Sequence, residues 1–407
     1  MKCRHCKNNL YLKFLDLANA PPSNSYLKKE DLKKPEITYP LRIMVCTNCW
    51  LVQTEDYTNA EELFNDDYAY FSSTSSSWLN HASNYCKAIT QKLKLSKDSF
   101  VVELASNDGY LLRNFVKLGI PCLGIEPTKK TAQVSRDLGI KVKEVFFSKN
   151  VARQLVTEGR KADLIIGNNV YAHVPDINDF TQGAAVLLKS NGVITFEFPH
   201  LMELINKNQF DTIYHEHFSY LSLISVRAIF LKYGLKIFDV DQLGTHGGSL
   251  RVYGCLQNAK HKISDNVEKI LNDEIETGLM NKNIYENFQN KADKIKDTFV
   301  QFLLNAKFDK KVVAGYGAAA KGNTLINYAG IKQDMISFVC DAAVSKIGKY
   351  LPGSHIPILD PKVLELRPID YLIIFPWNIS DEILQQNKAL SESGTKFVTI
   401  IPELKII

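Results

Sequence analysis

Short apolar runs of buried-strand type recur through the middle of the chain. They are Val101-Val102-Glu103-Leu104, Cys122-Leu123-Gly124-Ile125, Leu164-Ile165-Ile166 and Val193-Ile194-Thr195-Phe196, with helical stretches between them. That alternation predicts a parallel sheet covered on both faces, a doubly wound domain over residues 76–256. Further on, Ile284, Phe288, Ala292, Ile295, Phe299 and Phe302 recur at three- and four-residue steps. This is the period of a helix with one apolar stripe, so one or two connecting helices are expected to pack on a domain. A second α/β unit follows. Lys311–Gly317 reads as a strand and tight turn, and Ser337–Asp341, Tyr371–Phe375 and Phe397–Ile401 complete a small parallel sheet. Residues 257–407 are therefore expected to hold the connecting helices and a Rossmann-like domain. Residues 1–75 differ, with short alternating runs and turn residues such as Pro21-Pro22-Ser23-Asn24. They predict a small, loop-rich module that needs a staple to fold. The expected fold class is thus α/β, in three parts.

The staple is visible in the cysteines. Cys3 and Cys6 form one CxxC pair, Cys46 and Cys49 a second, thirty-nine residues apart. Four thiolates can surround one tetrahedral zinc ion, leaving no open position for catalysis. The metal would supply folding energy that so small a core lacks. Cys86, Cys122, Cys255 and Cys340 are isolated and read as small core residues. The opening Met1-Lys2-Cys3 carries no apolar signal region, and no run of about eighteen apolar residues occurs. A cytoplasmic protein without a membrane span is expected, its cysteines thiols or ligands rather than disulfides. The net charge of +5 is mild for 407 residues. It permits an anionic ligand such as a nucleotide. It argues against a third reading, a nucleic-acid-binding zinc ribbon on a decayed enzyme fold.

The first strand runs into Glu103-Leu104-Ala105-Ser106-Asn107-Asp108-Gly109. In a doubly wound sheet the ligand lies beyond the carboxyl ends of the strands. Gly109 permits close backbone approach, and the acidic Glu103 and Asp108 suit an ammonium better than a pyrophosphate. Glu126, ending the second strand, can accept hydrogen bonds from two ribose hydroxyls. Ammonium plus ribose points to S-adenosylmethionine (SAM), with Asn168 and Asn169 as further pocket candidates. The central domain is then a SAM-binding methyltransferase domain.

Tyr214-His215-Glu216-His217 is dense in proton-handling groups. Histidine can act as a general base near neutrality, tyrosine can bond a developing oxyanion, and glutamate can orient a neighbouring histidine. His215 and His217 would face opposite ways on a strand. His173, after the Leu164–Ile166 strand, is a second candidate, and Tyr70 could reach the site from the module junction. Near the other end, Gly315-x-Gly317-x-x-Ala320 with Asp341 after the next strand resembles a dinucleotide fingerprint. Taken alone it supports an alternative, an NAD(P)-linked nucleotide-sugar oxidoreductase.

Taken in order, these motifs resemble the nucleotide-sugar C-3′-methyltransferases of branched deoxysugar biosynthesis. The resemblance runs over nearly the whole chain. It rests on the CxxC pairs, the E-x-x-S-N-D-G turn, Tyr-His-Glu-His, His246-Gly247-Gly248-Ser249-Leu250-Arg251, and Gly315-Tyr316-Gly317-Ala318-Ala319-Ala320-Lys321-Gly322-Asn323-Thr324. It implies a dTDP-4-keto-6-deoxyhexose substrate methylated at C3 through an enolate. His217 would be the base, with Tyr214 and Glu216 polarising the C4 carbonyl or orienting that base, and Tyr70 and His173 completing the pocket. Glu103, Ala105, Asn107, Asp108, Gly109, Glu126, Asn168 and Asn169 would hold SAM. The C-terminal domain would serve the nucleotide-sugar, its turn and helix N-terminus holding the diphosphate. Residues expected to contact substrate are His246, Arg251, Gly317, Ala318, Ala319, Lys321, Asn323, Lys346 and Trp377, with Asn378 beside the last. No nucleic acid or membrane partner is implied, and a monomer is expected.

Overall fold

The computed structural model describes residues 1–57 and 71–407. Tyr70 lies outside them. Three sheets organise these residues. The N-terminal sheet joins β1 (Leu12–Ala20), β2 (Tyr39–Val45) and β3 (Val52–Thr54), all antiparallel. Its fourth strand is β9 (Ser219–Tyr220), which comes from the central domain just after Tyr-His-Glu-His.

The central sheet has seven strands. Parallel β4 (Val101–Leu104), β5 (Cys122–Ile125), β6 (Lys141–Lys143), β7 (Ala162–Asn168) and β8 (Leu188–Pro199) include all four predicted runs. With β10 (Leu235–Leu243) and β11 (Ser249–Leu256) the order is β10-β11-β8-β7-β4-β5-β6, and β11 is antiparallel to both neighbours. The order reverses between β4 and β7, where a doubly wound sheet opens its ligand crevice.

The C-terminal sheet is β12 (Val313–Tyr316), β13 (Val339–Cys340), β14 (Ile358–Leu359), β15 (Tyr371–Ile374) and β16 (Lys396–Thr399), all parallel. An antiparallel edge strand, β17 (Lys405–Ile406), closes it. The predicted connecting segment forms helices Asp265–Thr277, Lys282–Glu286 and Phe288–Phe308. Its apolar stripe is buried at Phe288, Ala292, Ile295 and Phe299.

The N-terminal part is not the self-contained, loop-rich module that its length suggests. One face of β1 packs on the connecting helices, with Phe14 stacked on Phe288 at 4.7 Å and edge-on to Tyr285 at 5.6 Å. Its apolar core is continuous with that of the C-terminal sheet through Leu325, Ile326 and Ile373. The cysteine end instead joins the central core beside Val102, Tyr171 and Phe230. Among the described residues no helix is long and apolar enough to cross a membrane.

Candidate active site

The four cysteines Cys3, Cys6, Cys46 and Cys49 converge, with all ligand sulfurs within 4.8 Å of one another. Sulfur pairs stand 3.6 Å (Cys3–Cys49) and 3.4 Å (Cys6–Cys46) apart. Tetrahedral zinc at about 2.3 Å from each sulfur wants them about 3.8 Å apart. The set fits a structural zinc ion. Between the first two ligands, Arg4 reaches out to the central domain. Its guanidinium donates to Pro175 O at 2.8 Å and Thr54 O at 3.1 Å, and pairs with Asp56 at 2.7 Å. Asn178 donates to Arg4 O and His5 O, and its Oδ1 meets His5 Nδ1 at 2.8 Å. The metal loop therefore grips residues 175–178, which run along a cavity wall.

That cavity, about 630 Å³, sits where the three parts meet. From the central domain it takes Ala105, Asn107, Glu126, Asn168, Asn169, His173, Tyr214, His217 and His246. From the C-terminal domain it takes Ala319, Lys321, Lys346 and Asn378, and from the N-terminal part Asn24. The backbone here is held in costly conformations. Ala105, Asn107, Asn169 and His246 all have left-handed φ, between 48° and 55°. Non-glycine residues persist there only when their surroundings enforce it, and they cluster at functional sites.

Several buried polar atoms around the β4 and β7 ends have no partner among the described residues: Glu103 Oε2, Asp108 Oδ1, both side-chain atoms of Asn168, and Asn169 Oδ1. Buried polar groups are normally paired, so this concentration marks where a polar ligand belongs. Burial, then the neighbouring Asp108 and Glu126, holds the Glu103 carboxyl well above its ordinary range. A cationic ammonium nearby would relieve that repulsion. Glu126 Oε2 accepts from Asn107 N at 2.9 Å, and Oε1 accepts from Thr128 N and Thr131 Oγ1. These bonds fix its orientation at the cavity edge. The residues present fit SAM. Glu103, Asp108 and Gly109 support the turn from behind the wall rather than lining it.

Residues 214–217 form a turn, not a strand, closed by His217 N donating to Tyr214 O at 2.9 Å. A turn brings its first and fourth side chains together, so the rings of Tyr214 and His217 lie 4.0 Å apart, tilted by 31°. His215 points away, its ring edge-on to Tyr39 and its Nε2 near Pro40 O at 3.3 Å. His217 Nδ1 donates to Thr212 O at 2.9 Å and His173 Nδ1 to Glu216 O at 2.7 Å. A carbonyl can only accept, so both rings are Nδ1–H tautomers with the lone pair on Nε2. The rings lie 4.6 Å apart. Burial pushes His173 down to about 4 and His217 well below the ordinary value, so both are neutral at pH 7. Glu216 sits behind this pair, Oε1 accepting from Asn24 and Oε2 without a partner among the described residues.

On the C-terminal side, Lys321 donates to Asn378 Oδ1 at 2.8 Å and lies over Trp377 at 4.3 Å. Burial pushes its ammonium down to about 8, with Asp211 opposing. Lys346 donates to Ala318 O and pairs with Asp341 at 3.3 Å. Asp341 also accepts from Ala343 N at 2.8 Å. The carboxylate that a dinucleotide site would give to a ribose is thus engaged within its own loop.

Other predicted contacts stand behind the wall. Trp377 Nε1 donates to Asp211 at 2.7 Å, and Asn323 donates to Ser23 O at 2.6 Å. Arg251 is buried, pairing with Glu197 at 2.5 Å and lying over Tyr85 at 4.4 Å. Glu197 also holds His81 and Thr245. Gly317 and Ala318 shape the turn without facing the cavity. Several lining residues escaped the sequence reading, Trp78 and Asn24 among them. Trp78 stacks on His81 at 4.9 Å and meets His246 edge-on at 5.3 Å. Asn24 was visible only as a turn residue. Nothing local distinguishes either from an ordinary helix or loop position.

Comparison with known proteins accounts for all three parts. Family profiles match a zinc binding domain over residues 3–64, a methyltransferase domain over 78–240 and a C-methyltransferase C-terminal domain over 244–402. The last begins before β11, which belongs to the central sheet. The C-methyltransferase NovU of Streptomyces niveus is 33% identical over 406 residues, covering 100% of this chain and 96% of its own. A ubiquinone biosynthesis O-methyltransferase of Pelagibacter ubique (strain HTCC1062) is 26% identical over 98 residues, 24% of this chain and 41% of its own. Among solved structures, magnesium protoporphyrin IX methyltransferase from Synechocystis PCC 6803 with bound SAM aligns at a TM-score of 0.36 and 12% identity, covering 49% of this chain and 99% of that one. By its full-length similarity to NovU, the chain belongs to the C-methyltransferase family.

Proposed function

We propose that this SAM-dependent C-methyltransferase acts on C3 of a dTDP-linked 4-keto-6-deoxyhexose. The observation that carries the reading is one cavity in which neutral histidines, orphaned polar atoms of the β4–β7 crevice, and two lysines of the C-terminal domain meet. The lysines and the helix starting at Ala320 suit a diphosphate. That grip sets the sugar towards the histidines, and remote binding energy of this kind is well used for orientation.

The C4 carbonyl acidifies the C3 proton. His217 Nε2 takes that proton, and the C3–H electrons pass into the enolate. Tyr214, its ring against that of His217, is suited to bond the enolate oxygen. When bound, SAM supplies an electrophilic methyl group, whose carbon–sulfur bond breaks as the bond to C3 forms. His217 keeps the abstracted proton until solvent removes it. The neutral state of His217 at pH 7 leaves it competent as a base. The nicotinamide-linked alternative finds no favouring observation, because Asp341 is engaged by Lys346 and Ala343.

The test is a methyl-transfer assay with methyl-labelled SAM and dTDP-4-keto-6-deoxyglucose, with NMR to locate the new carbon. Label on C3 is expected. Tight SAM binding with no product would move the acceptor to another keto compound.

A further inference from the structure

The segment that crosses from β1 to β2 does more than close the N-terminal sheet. It runs over the C-terminal turn and reaches the cavity. Ser23 O accepts from Asn323 Nδ2 at 2.6 Å, and Tyr26 OH donates to Ala318 O at 2.5 Å. Leu27 and Tyr350 exchange backbone hydrogen bonds at 3.0 and 2.9 Å. Between these fixed points Asn24 turns into the cavity wall. Its backbone N and its Nδ2 both donate to Glu216 Oε1, at 3.3 and 3.1 Å, across 192 residues of sequence.

Glu216 is the residue through which this contact reaches the chemistry. Its carbonyl accepts the Nδ1 proton of His173 at 2.7 Å. It also precedes His217 in the turn that His217 N closes on Tyr214 O, and the His217 ring lies 4.6 Å from that of His173. Glu216 is 1% exposed, and Asn24 is the one other residue shown donating to its carboxyl among the described residues. A buried carboxyl robbed of its donors moves towards others or towards water, and takes its turn with it.

We propose that Asn24 is a positioning residue for proton transfer: it holds Glu216 and, through it, the His173–His217 pair. The N-terminal part then contributes a component of the active site. Its neighbours Ser23 and Tyr26 are bonded to Asn323 and Ala318, on either side of Lys321, so the placement of Asn24 depends on the C-terminal domain. This rests on the proposed reading of His217 as the base.

The test pairs two measurements on the full-length enzyme. The first is exchange of the C3 proton of dTDP-4-keto-6-deoxyglucose in deuterated water for wild type, Asn24→Ala and Asn24→Ser. Asn24→Ala should slow exchange on the order of 10-fold or more, as expected for a small misplacement of a base. SAM affinity and KM should stay near wild type, while the thermal midpoint drops modestly because the buried Glu216 carboxyl loses the Asn24 side-chain donor. Asn24→Ser, which keeps a side-chain donor, should recover part of the rate. The second is nitrogen-15 NMR of the histidine rings without substrate. His173 should be the Nδ1–H tautomer in wild type and a mixture in Asn24→Ala. Unchanged exchange and an unchanged tautomer in Asn24→Ala would overturn the proposal. So would a loss of SAM affinity parallel to the loss of exchange, or no rescue by serine. If wild type itself failed to exchange, the substrate reading would fall, and the ring spectra would still decide the role of Asn24.

Discussion

At the scale of single residues, the site is built from groups whose protonation is set by burial. His173 and His246 are both pushed down to about 4, and burial holds His217 well below the ordinary 6.5. For a histidine depressed in the folded state, the unfolded chain binds more protons between the two values. Its contribution is present above pH 6.5 and is lost as pH falls towards about 4. Asp211, pushed up to about 6 by burial, acts in the opposite sense. Net stability thus mixes both, and a variant isolates one. His246→Gln should lose less thermal stability than wild type between pH 6.5 and 4.5, read as two Tm-against-pH curves. Parallel curves would mean that His246 is not held neutral. Residue chemistry was the most legible level in the sequence. The cysteine quartet, the acidic turn and His217 declared themselves by type and spacing. Trp78 and Asn24 did not, because their roles come from partners far away in the chain.

At the scale of elements, hydrophobic period located four strands in each α/β unit and the stripe of the connecting helices. It missed β6, β10 and β11 of the central sheet, β14, β17 and the N-terminal sheet. The two-residue strands β14 and β17 are too short to show a period, and β1 has register shifts that interrupt its alternation. The strand geometry considered for His215 and His217 does not apply, because a turn places side chains by its own geometry, not by alternation. The turn after β4 shows how tightly one element is specified. Gly109 has φ +79°, and a Cβ there would meet Ile140 at 2.5 Å and Ser135 Oγ at 2.7 Å. Gly109→Ala should therefore cost about 1–3 kcal/mol of stability and weaken SAM binding together, since the strain falls on the turn that carries Asn107. Calorimetric titration and thermal melts check both. Loss of stability with unchanged SAM affinity would separate the turn from the cofactor.

At the scale of the whole molecule, the three parts predicted from the sequence exist but are not independent. Phe14 belongs to a core continuous with the C-terminal sheet, while Leu51 and the cysteines belong to that of the central domain. These contacts join distant stretches of chain, so no local pattern announces them. One consequence concerns the metal. The zinc loop grips Pro175 and Asn178, next to His173 on the cavity wall. Arg4→Ala leaves buried carbonyls unpaired, at a cost of roughly 1–3 kcal/mol. It should lower Tm, and stripping zinc with a chelator should lower both Tm and SAM affinity. A chelated enzyme with native SAM affinity would show that the loop stabilises the N-terminal part alone.

The central claim is that His217 removes a proton from C3 of a nucleotide-linked 4-keto sugar. The most direct measurement is deuterium incorporation at C3 of dTDP-4-keto-6-deoxyglucose, with wild type and His217→Asn compared at saturating substrate. Wild type should wash in deuterium at C3. The variant should do so about 10²–10⁴-fold more slowly while binding SAM normally. Exchange by His217→Asn at the wild-type rate would contradict the account and pass the role of base to another group in the cavity.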